Sequence, residues 1–329
     1  MSIDISGSTV LVTGGAGLVG SHTVDMLLAE NVGNIIVFDR VINEANLGNA
    51  MRSPKVRIIQ GDIFSRKDVE GATKGVDFVL HLAAILLLSS AKNPRRCLRD
   101  NIDGTYNLLD IISKGRVKKL VFASSIAVYG DSQREVLMTE DYPFNNRSMY
   151  GASKIIGEQF CRIFQDMIGL RYIALRYSSV YGPKQHWQGL YPGLIMRALA
   201  RIEMGLPPQI KGNGNEVQDF VYVGDVARAN VLALKSSVDD EAINIASGKA
   251  TTLKELIDIL IDLTNPGLNI EFLPIQEKTF NASRWISVEK ARRLLGFEAT
   301  TDLKTGLKRL IEWRQQCAPR RCDCMRLVK

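Results

Sequence analysis

A doubly wound parallel α/β sheet followed by a smaller mixed α/β unit is the fold this 329-residue sequence predicts, and three observations carry the prediction. Short apolar runs at residues 9–12, 34–38, 56–59, 76–80, 119–123 and 172–175 alternate with helical segments. Strands alternating with helices build a parallel sheet covered on both faces. The first run ends in Thr13-Gly14-Gly15-Ala16-Gly17-Leu18-Val19-Gly20, and the second ends on an acid, Asp39.

Each element follows in order. The glycine turn leads into a helical pattern through Val24, Leu27 and Leu28. Glycines there permit a tight turn and let backbone N–H groups approach a pyrophosphate at the helix start, where the helix dipole also favours an anion. Asp39 lies nineteen residues past Gly20, where a carboxylate can bond an adenosine ribose hydroxyl and repel a 2′-phosphate. NAD rather than NADP is expected, with Arg40 beside it as the group that could compensate a phosphate. After the third run, Gly61-Asp62-Ile63 places a carboxylate either on the adenine amino group or as the cap of a helix from Ser65 onward. After the fourth, His81-Leu82-Ala83-Ala84 puts small residues where a cofactor must approach the backbone, and the chain stays apolar through residues 85–88. His81 reads as a structural histidine, since no second histidine or cysteine stands at metal-ligand spacing.

Residues 94–113 read as one helix through Leu98, Ile102, Thr105, Leu109 and Ile112, interrupted by the polar or small Asn101, Gly104 and Asn107. Gly104 is expected to allow close packing against the sheet. A second long helix follows Tyr150, with Ile156, Phe160, Ile163 and Met167. Both apolar stripes are wider than one sheet face needs, which predicts a homodimer.

The reactive groups stand at the end of the fifth run, Ser124-Ser125, and twenty-five residues later at Tyr150-Gly151-Ala152-Ser153-Lys154. Tyr150 and Lys154, four apart, share one helix face. A phenol of ordinary pKa, about 10, is about 0.1 % ionised at neutral pH, so work as a base needs a shift of roughly 3 units. An adjacent ammonium and a positive nicotinamide ring would both push that way. Ser125 would hold a substrate oxygen while Tyr150 takes its proton and a hydride leaves for the nicotinamide.

From Tyr177 the alternation breaks. Gly182-Pro183, Pro192, Pro207-Pro208 and residues 212–214 mark loops, with a helix at 253–263 and a strand at 269–273. The chain returns to the sheet near residues 223–246. The expected division is 1–176 for the dinucleotide-binding domain and 177–316 mainly for substrate, with 317–329 a disordered tail. Three cysteines and four basic residues in that tail, without histidine, argue against a metal site.

A net charge of +7 favours anionic ligands but is too diffuse for nucleic acid. The longest apolar stretch, residues 78–88, falls short of the ~20 residues of a membrane span. Residues 1–5 carry no basic or apolar signal, so a cytoplasmic, reducing compartment is expected, with Cys97 and Cys161 as packing residues.

The motifs together resemble an extended short-chain dehydrogenase/reductase of the NAD-dependent epimerase/dehydratase family. The likeness covers most of residues 8–315 and rests on TGGAGLVG, the Asp39 and Asp62 strand ends, HLAA, Asn101 with Gly104-Thr105, SSIAVYG, Tyr150 with Lys154, RYSSVYGP, DFVYVGDVARA and ARRLLGF. The resemblance implies a Rossmann-type domain and the triad Ser125, Tyr150 and Lys154. It also implies NAD lying along Gly14, Gly17, Leu18 and Val19, with Asp39, Arg40, Asp62, Ile63, Leu82, Ala83, Ala84, Asn101, Ser124, Tyr150, Lys154 and Tyr177 around it. Substrate would meet Leu86, Ser125, Tyr150, Ser179, Gln218 and Arg284.

Within the family the pattern resembles UDP-sugar 4-epimerases, because Ile126-Ala127 replaces the acidic pair of the dehydratases. Ser179 stands where the family usually has Asn, Gln218 where it usually has Arg, and Ser287 where it often has Asp. Losing a charge-assisted contact at Gln218 would forfeit ~1.5 to 3 kcal/mol, which Arg197, Arg201, Lys211 or Arg284 could compensate. The leading expectation is an NAD-dependent nucleotide-sugar 4-epimerase. The alternatives are a dehydrogenase of a smaller alcohol, favoured by Ser179, Gln218 and the apolar wall at 85–88, and a non-catalytic dinucleotide sensor, which the intact triad argues against.

Overall fold

The computed structural model describes residues 2–130, 136–185, 191–275 and 283–316. Along the chain the strands are β1 (Thr9–Thr13), β2 (Asn34–Asp39), β3 (Val56–Gln60), β4 (Phe78–His81), β5 (Lys119–Ser125), β6 (Leu137–Met138), β7 (Tyr172–Tyr177), β8 (Ser179–Tyr181), β9 (Gln209–Lys211), β10 (Val217–Tyr222), β11 (Glu241–Ile245), β12 (Ala250–Thr252), β13 (Glu271–Leu273) and β14 (Trp285–Ile286). Seven of them form one parallel sheet in the order β11-β7-β5-β4-β1-β2-β3. The chain winds outward from β1 to β3, then returns to lay β4 on the other side of β1. That reversal opens a crevice at the carboxyl ends of β1 and β4, the place where such sheets take ligands.

The strands are apolar on both faces because helices cover both. Val10, Val12, Ile35 and Val37 point into one core with the helices Leu18–Ala29 and Val223–Lys235, while Leu11, Ile36 and Phe38 point into the other with Gly104–Ile112 and Met149–Ile168. Period-two alternation thus divides each run between two cores.

The segment expected as one helix over 94–113 is instead helix Pro94–Cys97, a π-helical turn Leu98–Asp103, and helix Gly104–Ile112. The wider turn absorbs an extra residue where Asn101 turns inward, and such turns collect at functional sites. Gly104 sits tight against the segment that follows β3, not against a strand of the sheet: a Cβ there would lie 2.6 Å from Ile63 Cγ2. Pro192, expected in a loop, lies in the first turn of helix Tyr191–Glu203, where its missing N–H costs nothing.

Beyond β7 the chain makes two small sheets, β12-β10-β8 and β13-β9, and lays β14 beside the earlier β6. Helices Tyr191–Glu203, Leu253–Thr264 and Leu303–Gln316 share a third core with Tyr181, Phe220 and Tyr222. The cysteine-bearing tail expected to be disordered, residues 317–329, lies outside the described residues.

Candidate active site

The glycine turn is built from backbone packed on backbone. Gly14 has φ +69°, and a Cβ there would lie 2.8 Å from the Ala83 nitrogen at the end of β4; at Gly20 it would lie 2.1 Å from the Gly14 oxygen. Helix Leu18–Ala29 opens on Gly17, which brings no side-chain acceptor to its first N–H groups. Those donors, at Leu18 and Val19, are therefore left for an anion, and the turn fits a dinucleotide pyrophosphate. Asp39 closes the turn from β2: its Oδ2 accepts from Ala16 N at 3.1 Å and its Oδ1 from Val41 N at 3.2 Å. Burial raises the Asp39 pKa, and these backbone donors oppose the rise.

His81 organises the other wall. Ala83 N donates to Thr13 Oγ1 (3.2 Å), Thr13 Oγ1 lies 2.7 Å from His81 Nδ1, His81 Nε2 lies 3.0 Å from Thr105 Oγ1, and Thr105 Oγ1 donates to Asn101 O (2.6 Å). One proton arrangement satisfies the whole chain: Nδ1 accepts, Nε2 carries the hydrogen, and the ring is neutral. Burial pushes its pKa down to about 3. The expected structural histidine thus ties β1, β4 and the π-turn together. Asn101 completes the wall, with Oδ1 accepting from Ile85 N (2.8 Å) and Nδ2 donating to Ile85 O (3.1 Å) and Ser153 Oγ (3.1 Å). Its amide is spent on holding the chain after β4 against the long helix. Leu82, Ala83 and Ala84 lie on that stretch, and Leu86, 52 % exposed, follows them.

The long helix Met149–Ile168 begins under a Ser148 cap, whose Oγ accepts from Gly151 N at 3.0 Å. It lies hard against β5, since a Cβ on Gly157 would meet Phe122 Cζ at 2.3 Å. Tyr150 and Lys154 are thereby held over the end of β5. Lys154 Nζ donates to Ala123 O at 2.7 Å and stands 5.6 Å from the Tyr150 ring centroid and 5.0 Å from that of Phe122. Burial lowers Lys154 to about 8. Burial lifts Tyr150 to about 12, offset in part by a hydrogen bond with the Ser125 side chain, so the charges expected to lower it must overcome its burial. Ser125 also accepts from Ala127 N at 3.1 Å, which begins the turn after β5.

Other expected residues are committed elsewhere. Ser124 donates to Glu158, a carboxylate that also takes Arg176 through Nε (2.9 Å) and Nη2 (2.7 Å). Glu158 was missed, though it stands four residues past Lys154 on the same helix face. Tyr177 donates its hydroxyl hydrogen to Asn230 Oδ1, so it has no O–H left to donate to a ligand. Asp62 does not cap the helix after it; Ser65 does, accepting from Asp68 N, while Asp62 accepts from Phe64 N and pairs with Arg99. Arg40 pairs with Asp100 at 2.8 Å, so its charge is already neutralised beside Asp39. Ile63 is buried against Gly104.

On the substrate side, Ser179 (β8) donates to Gln218 Oε1 (β10) at 3.4 Å, and Gln218 is fully buried, 0 % exposed, between β8 and β12. The neutral amide is part of the sheet's interior rather than an open wall. Arg284 Nε donates to Gly130 O at 2.8 Å, and Arg201 is held by Pro207 O (2.6 Å) and Glu271 (3.1 Å). Among the described residues no group of three or more His, Cys, Asp or Glu side chains could hold a metal ion.

The model of the NAD dependent epimerase/dehydratase family matches residues 10–246. A putative UDP-glucose 4-epimerase of Methanocaldococcus jannaschii is 37 % identical over 308 residues, covering 92 % of this chain and 97 % of that one. A UDP-N-acetylglucosamine 4-epimerase from Methanobrevibacter ruminantium, solved with UDP-N-acetylmuramic acid, has a TM-score of 0.87 at 30 % identity, covering 95 % of this chain and 99 % of its own. The UDP-glucose 4-epimerase of Thermotoga maritima, solved with UDP-glucose, also has a TM-score of 0.87, at 32 % identity and 94 % and 99 % coverage.

Proposed function

The chain belongs to the NAD-dependent epimerase/dehydratase family, and we propose that within it the protein is a 4-epimerase of a UDP-sugar, with Ser125, Tyr150 and Lys154 as its catalytic residues. The observation that carries the reading is the convergence of these three at the end of β5, across the crevice from a glycine turn with uncapped helix donors. When bound along that turn, NAD supplies a hydride acceptor and the positive charge of its nicotinamide ring.

The chain's own residues do the rest. Leu18 and Val19 N–H groups receive the pyrophosphate, Asp39 the adenosine ribose, and Ala83 and Ala84 leave room beside the backbone. Ser125 Oγ holds the sugar C4 oxygen, and Tyr150 Oη takes its proton. A phenol at about 12 is a poor acceptor, so the proton moves only when positive charge stands beside the ring. Lys154 provides part of that charge from its fixed place on Ala123 O. With the ketone turned in the site, return of the hydride to the opposite face of C4 would be matched by Tyr150 giving the proton back to the oxygen, which restores the alcohol with C4 inverted.

A dehydrogenase of a smaller alcohol is the second reading, motivated by the exposed, apolar Leu86 next to the site. Mass spectrometry of the purified protein should find bound NAD, and a UDP-sugar panel should show C4 inversion without accumulating NADH. Stoichiometric NADH release would move the assignment to the dehydrogenase.

We place the protein in the cytoplasm, where the buried thiols Cys97 and Cys161 stay reduced. Among the described residues no helix is long and apolar enough to cross a membrane. A homodimer forms through Leu98, Tyr106, Ile163 and Met167, each 44–75 % exposed, on the π-turn, helix Gly104–Ile112 and helix Met149–Ile168. Light scattering that finds a monomer at micromolar concentration would reject the dimer.

A further inference from the structure

Resting on the triad of the UDP-sugar reading, we propose that Glu158 is a positioning residue for the reaction: clamped by Arg176, its carboxylate supplies the fixed negative charge against which the Lys154 ammonium is held at the end of β5. Tyr150, Lys154 and Glu158 follow one another at four-residue steps along one side of helix Met149–Ile168. That side is stitched to three successive residues of β5. Tyr150 bonds the Ser125 side chain, Lys154 Nζ donates to Ala123 O at 2.7 Å, and Glu158 accepts from Ser124 Oγ. Ser124 and Arg176 are partners in the β5–β7 ladder, so their side chains reach Glu158 from the same face of the sheet. Arg176 grips the carboxylate with two bonds, Nε to Oε1 at 2.9 Å and Nη2 to Oε2 at 2.7 Å. Its Nη1 is held in turn by Tyr129 Oη (2.9 Å) and Glu140 O (2.8 Å). The charge of Glu158 is thereby kept one helical turn from Lys154, about 6 Å along the axis.

Glu158 and Arg176 are both buried, with side chains 7 % and 5 % exposed. A buried ion pair is weak ground for stability, because apolar side chains of the same volume often serve the fold as well. What apolar side chains could not do is oppose the loss of water at Lys154. That residue is itself buried, and the acceptor it takes from β5 is a neutral carbonyl. Burial draws its pKa down, and Glu158 is among the groups that oppose the fall. The other titratable groups around the lysine are Tyr150 and Cys161 on its own helix, Cys97 from the helix before the π-turn and the neutral His81 from β4. Those around Glu158 are Lys154, Cys161, Arg176 and Tyr129. Among the described residues that face Lys154, Glu158 brings the carboxylate.

The test follows the Lys154 amine directly, by nuclear magnetic resonance of full-length, NAD-loaded protein labelled at the lysine ε-carbon, with the signal assigned by its loss in Lys154→Met. The pH profile of C4 inversion is measured beside it. Glu158→Gln keeps the shape and removes the charge. It should lower the Lys154 titration midpoint by about one unit or more and move the alkaline limb of kcat down equally, with KM for the UDP-sugar within about twofold of the parent. Glu158→Asp, which restores the charge, recovers most of both shifts. Removing one partner of a buried pair strains the fold, so Glu158→Gln combined with Arg176→Gln, which leaves no guanidinium alone, is the second variant and should also show a lowered midpoint. A midpoint within about 0.3 unit of the parent in whichever of the two variants folds, whatever the change in melting temperature, overturns the inference and leaves the UDP-sugar reading intact. A parent that inverts no UDP-sugar overturns that reading instead, and the resonance midpoint still decides what Glu158 does to the lysine.

Discussion

Lys154→Met removes one charge and keeps most of the side chain's length, so it isolates what the ammonium does for Tyr150. The nitrogen stands 5.6 Å from the phenol ring. At an effective dielectric of about 20, a unit charge at that distance is worth about 3 kcal/mol to a phenolate. That is about 2 pKa units, or roughly a hundredfold in the ionised fraction. In the parent the ammonium persists below about pH 8, because burial lowers the lysine to that value. The variant lacks it at every pH. Its kcat for C4 inversion should therefore fall about a hundredfold near neutrality, with the acid limb of the pH profile displaced upward by about 2 units. Rates would be measured on NAD-loaded protein at saturating UDP-sugar. A kcat within threefold of the parent, with the acid limb unmoved, would refute the assignment of Lys154 as the source of the field on Tyr150.

Asp39→Ala should shift cofactor preference toward NADP by about tenfold or more in a fluorescence titration, since it removes the carboxylate a 2′-phosphate would meet. Unchanged relative affinity would take Asp39 away from the ribose. The pairing of Arg40 with Asp100 predicts that the gain comes from lost repulsion and not from a new arginine contact. His81 has a folded pKa of about 3, well below its ordinary 6.5, so the unfolded chain binds the extra proton more readily. Stability from this group is complete above about pH 6.5 and is lost as pH falls toward 3, amounting to about 2 kcal/mol between pH 7 and pH 5. His81→Gln should flatten that part of the urea-unfolding profile, and an unaltered slope would contradict the neutral ring between Thr13 and Thr105.

The repetitive features were the legible ones. Alternating runs and a glycine turn disclose the sheet because period and backbone geometry are written locally, and the six expected strands of the main sheet that precede Tyr177 all form. β4 shifts by two residues at its start, where Val76 packs outside the ladder. The juxtaposition of Tyr150 and Lys154 was legible because residues four apart share a helix face. Long-range choices were not. Nothing local tells that Asn101 sits in a π-turn and spends its amide on Ile85 and Ser153, or that Arg40 turns to Asp100 across sixty residues. The burial of Tyr150 was not legible either: adjacency to Lys154 is readable in sequence, whereas the burial that raises the phenol is a property of the packed site. Gln218 likewise reads as a lining residue by position, yet its strand runs through the middle of a three-stranded sheet and closes it off.

The central claim, transient oxidation at C4 with the hydride retained in the site, is tested most directly by UDP-glucose carrying deuterium at C4. Nuclear magnetic resonance of the mixture after incubation with the NAD-loaded protein should show the C4-inverted sugar still deuterated, with no NADH accumulating in solution. Inversion with the label lost to solvent, or label appearing stoichiometrically in released NADH with no inverted sugar, would contradict it.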